Sequence, residues 1–173
     1  MTDKQHNSLR GLQLPPLLAN NFIEWERAEK IDFDSIGVVV ACHLVVEHYL
    51  TRFLQISSPK EFDWDAARLT FTQKLSIASG KDSSLNSIGL VEGIKRLNTI
   101  RNNMSHNIRT SVTGTDVLVL RRVLQSVSKD RKVPADLQPI DIVRLFTWLT
   151  CSYIAGYCSG RVQATIKLKE NGL

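Results

Sequence analysis

Apolar residues recur every three or four positions along several long segments of this chain, which is the spacing of a helix with one buried face. The longest such segment follows Asp32 and Asp34, either of which can cap a helix, and it continues to about Gln55. The valines at 38–40 would also suit a strand, but an apolar pattern of about twenty residues is longer than most strands. We therefore predict a long and mostly buried helix here.

Shorter apolar patterns lie on either side of this segment. The residues from Leu17 to Trp25 predict a short first helix. Beyond the long helix and a polar loop, Thr70 and Gln73 have the spacing of a capping box, in which each residue satisfies a backbone N–H of the other. The sequence therefore predicts a helix that starts at this box and ends at Gly80.

The second half of the chain predicts three more helices, separated by polar segments. Apolar residues at helical intervals indicate one over about 88–107, and a candidate helix covers 116–127 after a linker that contains a glycine. Pro139 suits the first turn of a helix and opens the last one, which we expect to end near Val162.

These elements predict an all-α fold, a single-domain helical bundle of five or six helices. With 173 residues, 43% of them hydrophobic, the chain can bury a sizeable core in one domain. We expect a polar leader at 1–14, a helical domain at 15–165 and a frayed tail at 166–173. The part of the domain at 116–165 is interpreted as a C-terminal helical extension.

Charge and cysteine content indicate a class of partner and a compartment. Lys and Arg number 22 against 17 Asp and Glu, and the net charge of +5 favours anionic partners without excluding others. The cysteines are odd in number and lie in apolar runs, so we interpret Cys42, Cys151 and Cys158 as reduced core residues. We therefore expect a cytoplasmic protein.

The sequence does not predict a membrane segment. The N-terminus lacks the apolar core of a secretory signal. The most apolar window, from Ile140 to Cys158, is interrupted by Asp141 and Arg144. We therefore expect no membrane among the partners of this protein.

Polar side chains cluster at the end of the helix predicted over 88–107. On a helical projection, an arc beside the apolar stripe holds Asn98, Arg101, Asn102, Ser105 and His106. The arc combines a permanent cation with a histidine, the side chain that ordinarily titrates near neutral pH. Such a face could hold a phosphate group, although arginine and histidine at this spacing also occur in helix caps and on solvated surfaces.

Two segments, Phe71–Leu75 and Lys95–Asn107, resemble the HEPN (higher eukaryotes and prokaryotes nucleotide-binding) superfamily. The motif of that family is an arginine, often followed directly by an asparagine, with a histidine after four to six residues. Arg101, Asn102 and His106 match it residue by residue, at the short end of the allowed spacing. The resemblance is close over the motif and looser over Phe33 to Asn107, and the N-terminal leader and everything after Thr110 are unmatched.

The resemblance implies an all-α protein and, in many members, a metal-independent endoribonuclease that uses no cofactor. Such members build the site from two motifs across a homodimer, and many are toxins of toxin–antitoxin or phage-defence systems. His106 would then be the general acid or base for attack by a ribose 2′-hydroxyl, Arg101 would stabilise charge on the phosphate, and Asn102 would orient either group. RNA and an antitoxin protein are the partners implied. Other members are non-catalytic nucleic-acid-binding or regulatory modules, such as relatives of the mannitol operon repressor.

Three residues are weaker candidates for supporting this site, namely Glu47, Asn98 and Ser105. Glu47 lies on the long helix and could pair with Arg101 and hold it in place, or it could be an exposed glutamate. A metal site is not expected, because His43, Glu47 and His48 lack the spacing of the known zinc-binding helix motifs.

A run of basic residues beyond the motif could extend a nucleic-acid surface. It consists of Arg121, Arg122, Lys129, Arg131 and Lys132. No aromatic residues are interleaved with it, so stacking on single-stranded bases has no support, and a solvated basic face is the alternative.

Overall fold

The structure is a computed structural model, which describes residues 17–19, 22–24, 31–58, 63–64, 66–82, 84–127 and 133–170. The side chains of residues 17–24, 84 and 165–170 are not described. The predicted leader at 1–14 and the last three residues of the chain lie outside the described ranges.

The described residues form six helices and one small hairpin, which confirms the predicted all-α bundle. In chain order the elements are β1 (Leu17–Ala19), β2 (Phe22–Glu24), α1 (Phe33–Ser57), α2 (Phe71–Lys81), α3 (Ser84–Ser87), α4 (Leu90–His106), α5 (Leu118–Val127) and α6 (Pro139–Glu170). α3 is a single helical turn between α2 and α4.

Local capping signals determine where two of the helices begin. The Asp32 carboxylate accepts a hydrogen bond of 3.0 Å from the backbone N–H of Ser35 and caps α1. Thr70 and Gln73 form a complete capping box at the start of α2. Both starts were predicted, because a cap depends on residues only three positions apart.

The prediction of a first helix from Leu17 to Trp25 is wrong. β1 and β2 pair as antiparallel strands, with Leu18 opposite Ile23. A run of apolar residues this short fits two strands as well as one helical face. The two asparagines that separate the apolar pairs in the sequence are a turn signal, which the helical interpretation did not take into account.

α6 continues to Glu170, past the end predicted near Val162, so residues 166–170 of the predicted frayed tail are helical. Neither glycine nor proline occurs between Val162 and Glu170, so the sequence contains no residue that would stop the helix.

The core lies between α1 and α6, and α2, α4 and α5 close it. The largest fully buried side chains include Phe53 of α1, Leu97 of α4 and Phe146 of α6. α4 approaches α6 closely at Gly93, where an added Cβ would lie 2.4 Å from two carbons of the Phe146 ring. A side chain at this point on the helix that carries the motif would therefore have to displace the buried Phe146 ring.

The three cysteines are free, and Cys42 and Cys151 are buried between α1 and α6. Burial, with a smaller effect of the neighbouring Cys42, raises the pKa of Cys151 to about 11. The Cys151 thiol is therefore protonated and unreactive at neutral pH.

α1, and not the window from Ile140 to Cys158, is the described helix that is long and apolar enough to cross a membrane. Length and composition alone support this, and the core helix of a soluble protein passes the same test. In this structure α1 contacts α2, α4 and α6.

Candidate functional site

The last two turns of α4 carry the predicted motif, in which Arg101 and Asn102 are half-buried and His106 is exposed. Its Nη1 donates a hydrogen bond of 3.1 Å to Oδ1 of Asn102. Within the described residues, no carboxylate lies within ion-pair distance of the Arg101 guanidinium. The remaining N–H groups of Arg101 are therefore available to an anion.

The predicted ion pair between Glu47 and Arg101 does not form. Glu47 instead accepts a hydrogen bond of 2.8 Å from Nζ of Lys74, on the first turns of α2. α2 and α4 both pack against α1, so a glutamate on α1 can reach a cation on either neighbour. Lys74 thus neutralises the predicted supporting carboxylate beside the site.

His43 of α1 joins the site through Asn98 of α4, a contact that sequence reasoning missed. Nε2 of His43 lies 3.0 Å from Oδ1 of Asn98. The imidazole is only 6% exposed and stacks on the ring of Phe71, with centroids 4.2 Å apart. The sequence indicates only that His43 is buried, because it occupies the same helical face as Val39 and Val46, and not which residue it contacts.

The environment of His43 keeps its ring neutral. Burial lowers the pKa of His43 and outweighs the hydrogen bond with Asn98 and the carboxylate of Glu47, which raise it, while the Arg101 cation lowers it further. Because Oδ1 of Asn98 can only accept, the ring nitrogen that faces it, Nε2, carries the proton.

Two asparagines present their nitrogen atoms to solvent as a consequence of these contacts. Oδ1 of Asn98 is held by His43, and Oδ1 of Asn102 is held by Arg101. Neither Nδ2 atom has a partner among the described residues, and neither is among the buried polar atoms that lack one. The exposed edge formed by Asn98, Arg101 and Asn102 therefore consists of hydrogen-bond donors, and we call it the donor edge.

His106 is the last residue of α4 and is exposed, with no hydrogen-bond partner in the described part of the chain. It lies about 40° from Asn102 but about 140° from Arg101 around the helix axis, at 3.6 residues per turn. The Ser105 hydroxyl donates 2.9 Å to the Arg101 backbone carbonyl and is thus already engaged. Within one chain, the structure does not bring Arg101 and His106 together.

A second arginine of α4, Arg96, joins this helix to the segment before α5. Nη2 of Arg96 donates 2.7 Å to Oδ1 of Asp116, and its Nε donates 2.8 Å to the Asp116 backbone carbonyl. Oδ2 of Asp116 accepts from the Thr113 hydroxyl at 2.6 Å and from the Thr113 backbone N–H at 3.0 Å. Burial alone would raise the pKa of Asp116, but Thr113 and Arg96 together hold it below its usual value.

The predicted basic surface is described only in part. Arg121 donates to the backbone carbonyls of Pro134, at 2.6 Å, and Leu137, at 3.3 Å, so its guanidinium fastens α5 to the segment before α6. Arg122 is exposed. Lys129, Arg131 and Lys132 lie outside the described residues.

In the described ranges, no group of three or more His, Cys, Asp or Glu side chains could hold a metal ion. The two possible ligands nearest to the motif have other partners, since His43 contacts Asn98 and Glu47 binds Lys74. In comparisons with known proteins, no family model, curated protein or solved structure matches this chain.

Proposed function

We propose that this protein is a HEPN-like, metal-independent endoribonuclease that acts in the cytoplasm as the toxin of a toxin–antitoxin or phage-defence system. The observation that carries the proposal is the donor edge around Arg101. A half-buried guanidinium that has no carboxylate partner among the described residues, beside two amide nitrogens, suits an anionic ligand. A phosphate of RNA is such a ligand, and the net charge of +5 favours it.

In the proposed reaction, His106 takes the proton from the ribose 2′-hydroxyl or gives one to the 5′-oxygen that leaves. The 2′-oxygen attacks phosphorus, the bond to the 5′-oxygen breaks, and the products carry a 2′,3′-cyclic phosphate and a 5′-hydroxyl. Arg101 stabilises the charge that develops on the phosphate oxygens, and Asn102 helps to orient the phosphate.

The divergence of Arg101 and His106 supports a homodimeric site as part of this proposal. Side chains about 140° apart around one helix do not converge on one phosphate from the same chain. His106 is exposed at the end of α4, where a second copy can approach it. We therefore propose that each phosphate is held between motifs from two chains.

The test is cleavage of labelled RNA by purified protein in the presence of EDTA. We expect wild type to cleave and to leave cyclic phosphate ends, and His106→Ala to lose about 100-fold or more of the rate, as is typical when a general acid or base is removed. His48→Ala is the matched control, because His48 is also exposed and lies on α1. Cleavage that stops in EDTA but survives His106→Ala would overturn the proposal.

A non-catalytic nucleic-acid-binding or regulatory module is the second candidate function. It is favoured by the lack of a hydrogen-bond partner for His106 in the described residues, since acid–base histidines are commonly oriented by a second group. In that case wild type would bind RNA or DNA with strong salt dependence, cleave neither, and leave growth of the expressing host unaffected.

A further inference from the structure

We propose that Asn98 is a phosphate-binding residue and that His43 is its positioning residue, holding Oδ1 of Asn98 so that the amide N–H groups face the phosphate beside Arg101. This inference rests on the proposed function, because it adds a ligand and its support to the same site. The motif of the resemblance assigns no role to either residue.

An asparagine amide can bind an anion through its N–H groups in only one of its two orientations. Its NH₂ group donates and its oxygen accepts, so a flipped amide would turn a lone-pair-bearing oxygen toward the phosphate. Asn98 is half-buried on α4, and the hydrogen bond of 3.0 Å from His43 fixes the oxygen inward. The nitrogen is left on the solvent side, where no described residue occupies it.

His43 is itself fixed by burial and by stacking. Its ring is 6% exposed and stacks on Phe71, the first residue of α2, at an interplanar angle of 29°. The capping box of α2 at Thr70 fixes the position of Phe71. The orientation of Asn98 is therefore determined by α1 and α2 together, and not by α4 alone.

Two charged side chains, Glu47 and Arg101, act on His43. Glu47 lies on the same helix and is neutralised by Lys74 of α2, while Arg101 lies on α4. Because burial lowers the pKa of His43, the ring adds no positive charge at neutral pH. Its one remaining proton lies on Nε2, because Nε2 faces Oδ1 of Asn98, which can only accept. His43 therefore acts by direction and not by charge.

The decisive experiment compares His43→Phe with His43→Gln in binding and cleavage of a short single-stranded RNA. Phe keeps an aromatic ring against Phe71 but has no donor, whereas Nε2 of Gln can occupy the place of the imidazole Nε2–H. We expect His43→Phe to raise the KM or Kd about tenfold or more, the effect of one hydrogen bond to a charged group, and to leave kcat nearly unchanged. His43→Gln should restore most of the affinity.

Equal loss in both variants with unchanged thermal unfolding would overturn the positioning role, as would no loss in either. His48→Phe controls for an added aromatic ring on the exposed side of α1. Asn98→Asp covers the case in which His43→Phe does not fold, because it keeps the acceptor for His43 and replaces the amide donors by an anionic oxygen. This variant should bind RNA at least tenfold more weakly, and unchanged binding would overturn the role of Asn98.

A measurement that does not depend on cleavage separates this inference from the proposed function. Inorganic phosphate, and then RNA, is titrated into ¹⁵N-labelled wild type while the side-chain amide signals of Asn98 are followed. We expect these signals to shift with both ligands and to lose the shift in His43→Phe. RNA that binds without moving them overturns the role of Asn98 alone, whereas shifts without any RNA cleavage overturn only the ribonuclease. If neither ligand binds, both proposals fail.

Discussion

Arg96 and Arg101 are the same residue type on the same helix, and both are half-buried, yet their guanidinium groups have different surroundings. Arg96 donates twice to Asp116, to its carboxylate and to its backbone carbonyl. Arg101 donates to the side chain of Asn102 and has no carboxylate partner in the part of the chain that the structure describes. The first arginine connects two elements, and the second is available to a ligand.

This difference distinguishes an arginine with a structural role from an arginine that can bind an anionic ligand. A buried or half-buried cation needs compensation, which Arg96 receives from Asp116 within the fold. Glu47, the carboxylate predicted to pair with Arg101, instead binds Lys74. Among the described residues, no carboxylate therefore compensates the charge of Arg101, which can act on an external anion.

The largest expected effect is on activity, in Arg101→Ala. We expect this variant to lose about 100- to 1000-fold in RNA cleavage, the range seen when a group that stabilises transition-state charge is removed, with unfolding free energy within about 1 kcal/mol of wild type. Arg96→Ala is the matched control and should keep the cleavage rate of the folded protein within about threefold, on the same principle. Rate assays and urea unfolding of both variants test this comparison. An equal loss of cleavage in the two folded variants would contradict it.

The second effect is on the packing of α4, the helix of both arginines, against α6. Gly93→Ala puts a methyl group against the Phe146 ring, and we expect overpacking to cost about 1–3 kcal/mol in urea unfolding. Gly156→Ala, where an added Cβ meets nothing within 4 Å, should be neutral or stabilising by about 0.5–1 kcal/mol. Equal stability of the two variants would show that α4 does not approach α6 as closely as described.

The third effect is the contribution of the Arg96–Asp116 pair to stability, compared with that of a more exposed ion pair. Asp116→Ala removes the acceptor of Arg96 and of Thr113, and we expect a loss of about 1–2 kcal/mol, kept low because these ion-pair side chains are partly solvated. Asp141→Ala breaks a more exposed pair with Arg144 and should cost less than about 0.5 kcal/mol. Thermal unfolding of both variants measures the difference, and a larger loss in Asp141→Ala would contradict it.

The smallest effect is the pH dependence of the Arg96–Asp116 contact. The folded pKa of Asp116 lies below its ordinary value of 3.8, so the contact stabilises the fold above that pH and loses this contribution as pH falls through the lowered pKa. Wild type should therefore be more stable than Asp116→Asn at neutral pH, and the difference should shrink below about pH 4. Unfolding curves of the two proteins at several pH values test this, and a constant difference would be the contrary result.

Local signals made much of the helical fold predictable. The caps at Asp32 and Thr70 use residues three positions apart, and the long apolar periodicity of α1, α4 and α6 exceeds what a strand can hold. The hairpin near the N-terminus was missed because six residues are too few for periodicity to distinguish a helix from two strands. The end of α6 was misplaced because the sequence there contains neither a stop signal nor a strong apolar pattern.

The candidate site was predictable only where it lies on one helix. The sequence placed Asn98, Arg101, Asn102 and His106 on α4, and their relative directions follow from helix geometry. The partner of Glu47 could not be predicted, because cations on two neighbouring helices were within its reach in principle. The contact between His43 and Asn98 joins residues 55 positions apart, and no local pattern indicates it.

The sequence alone predicts the helices on which the candidate site residues lie, because backbone capping and the burial of one helical face depend on residues a few positions apart. The tertiary structure is needed to show which charged side chains have a partner of opposite charge and which remain available to a ligand. Ion pairs and buried hydrogen bonds depend on distances of about 3 Å between elements remote in the chain, and packing alone sets these distances. For this reason Arg96 is neutralised by Asp116, while Arg101 has no carboxylate partner in the described structure.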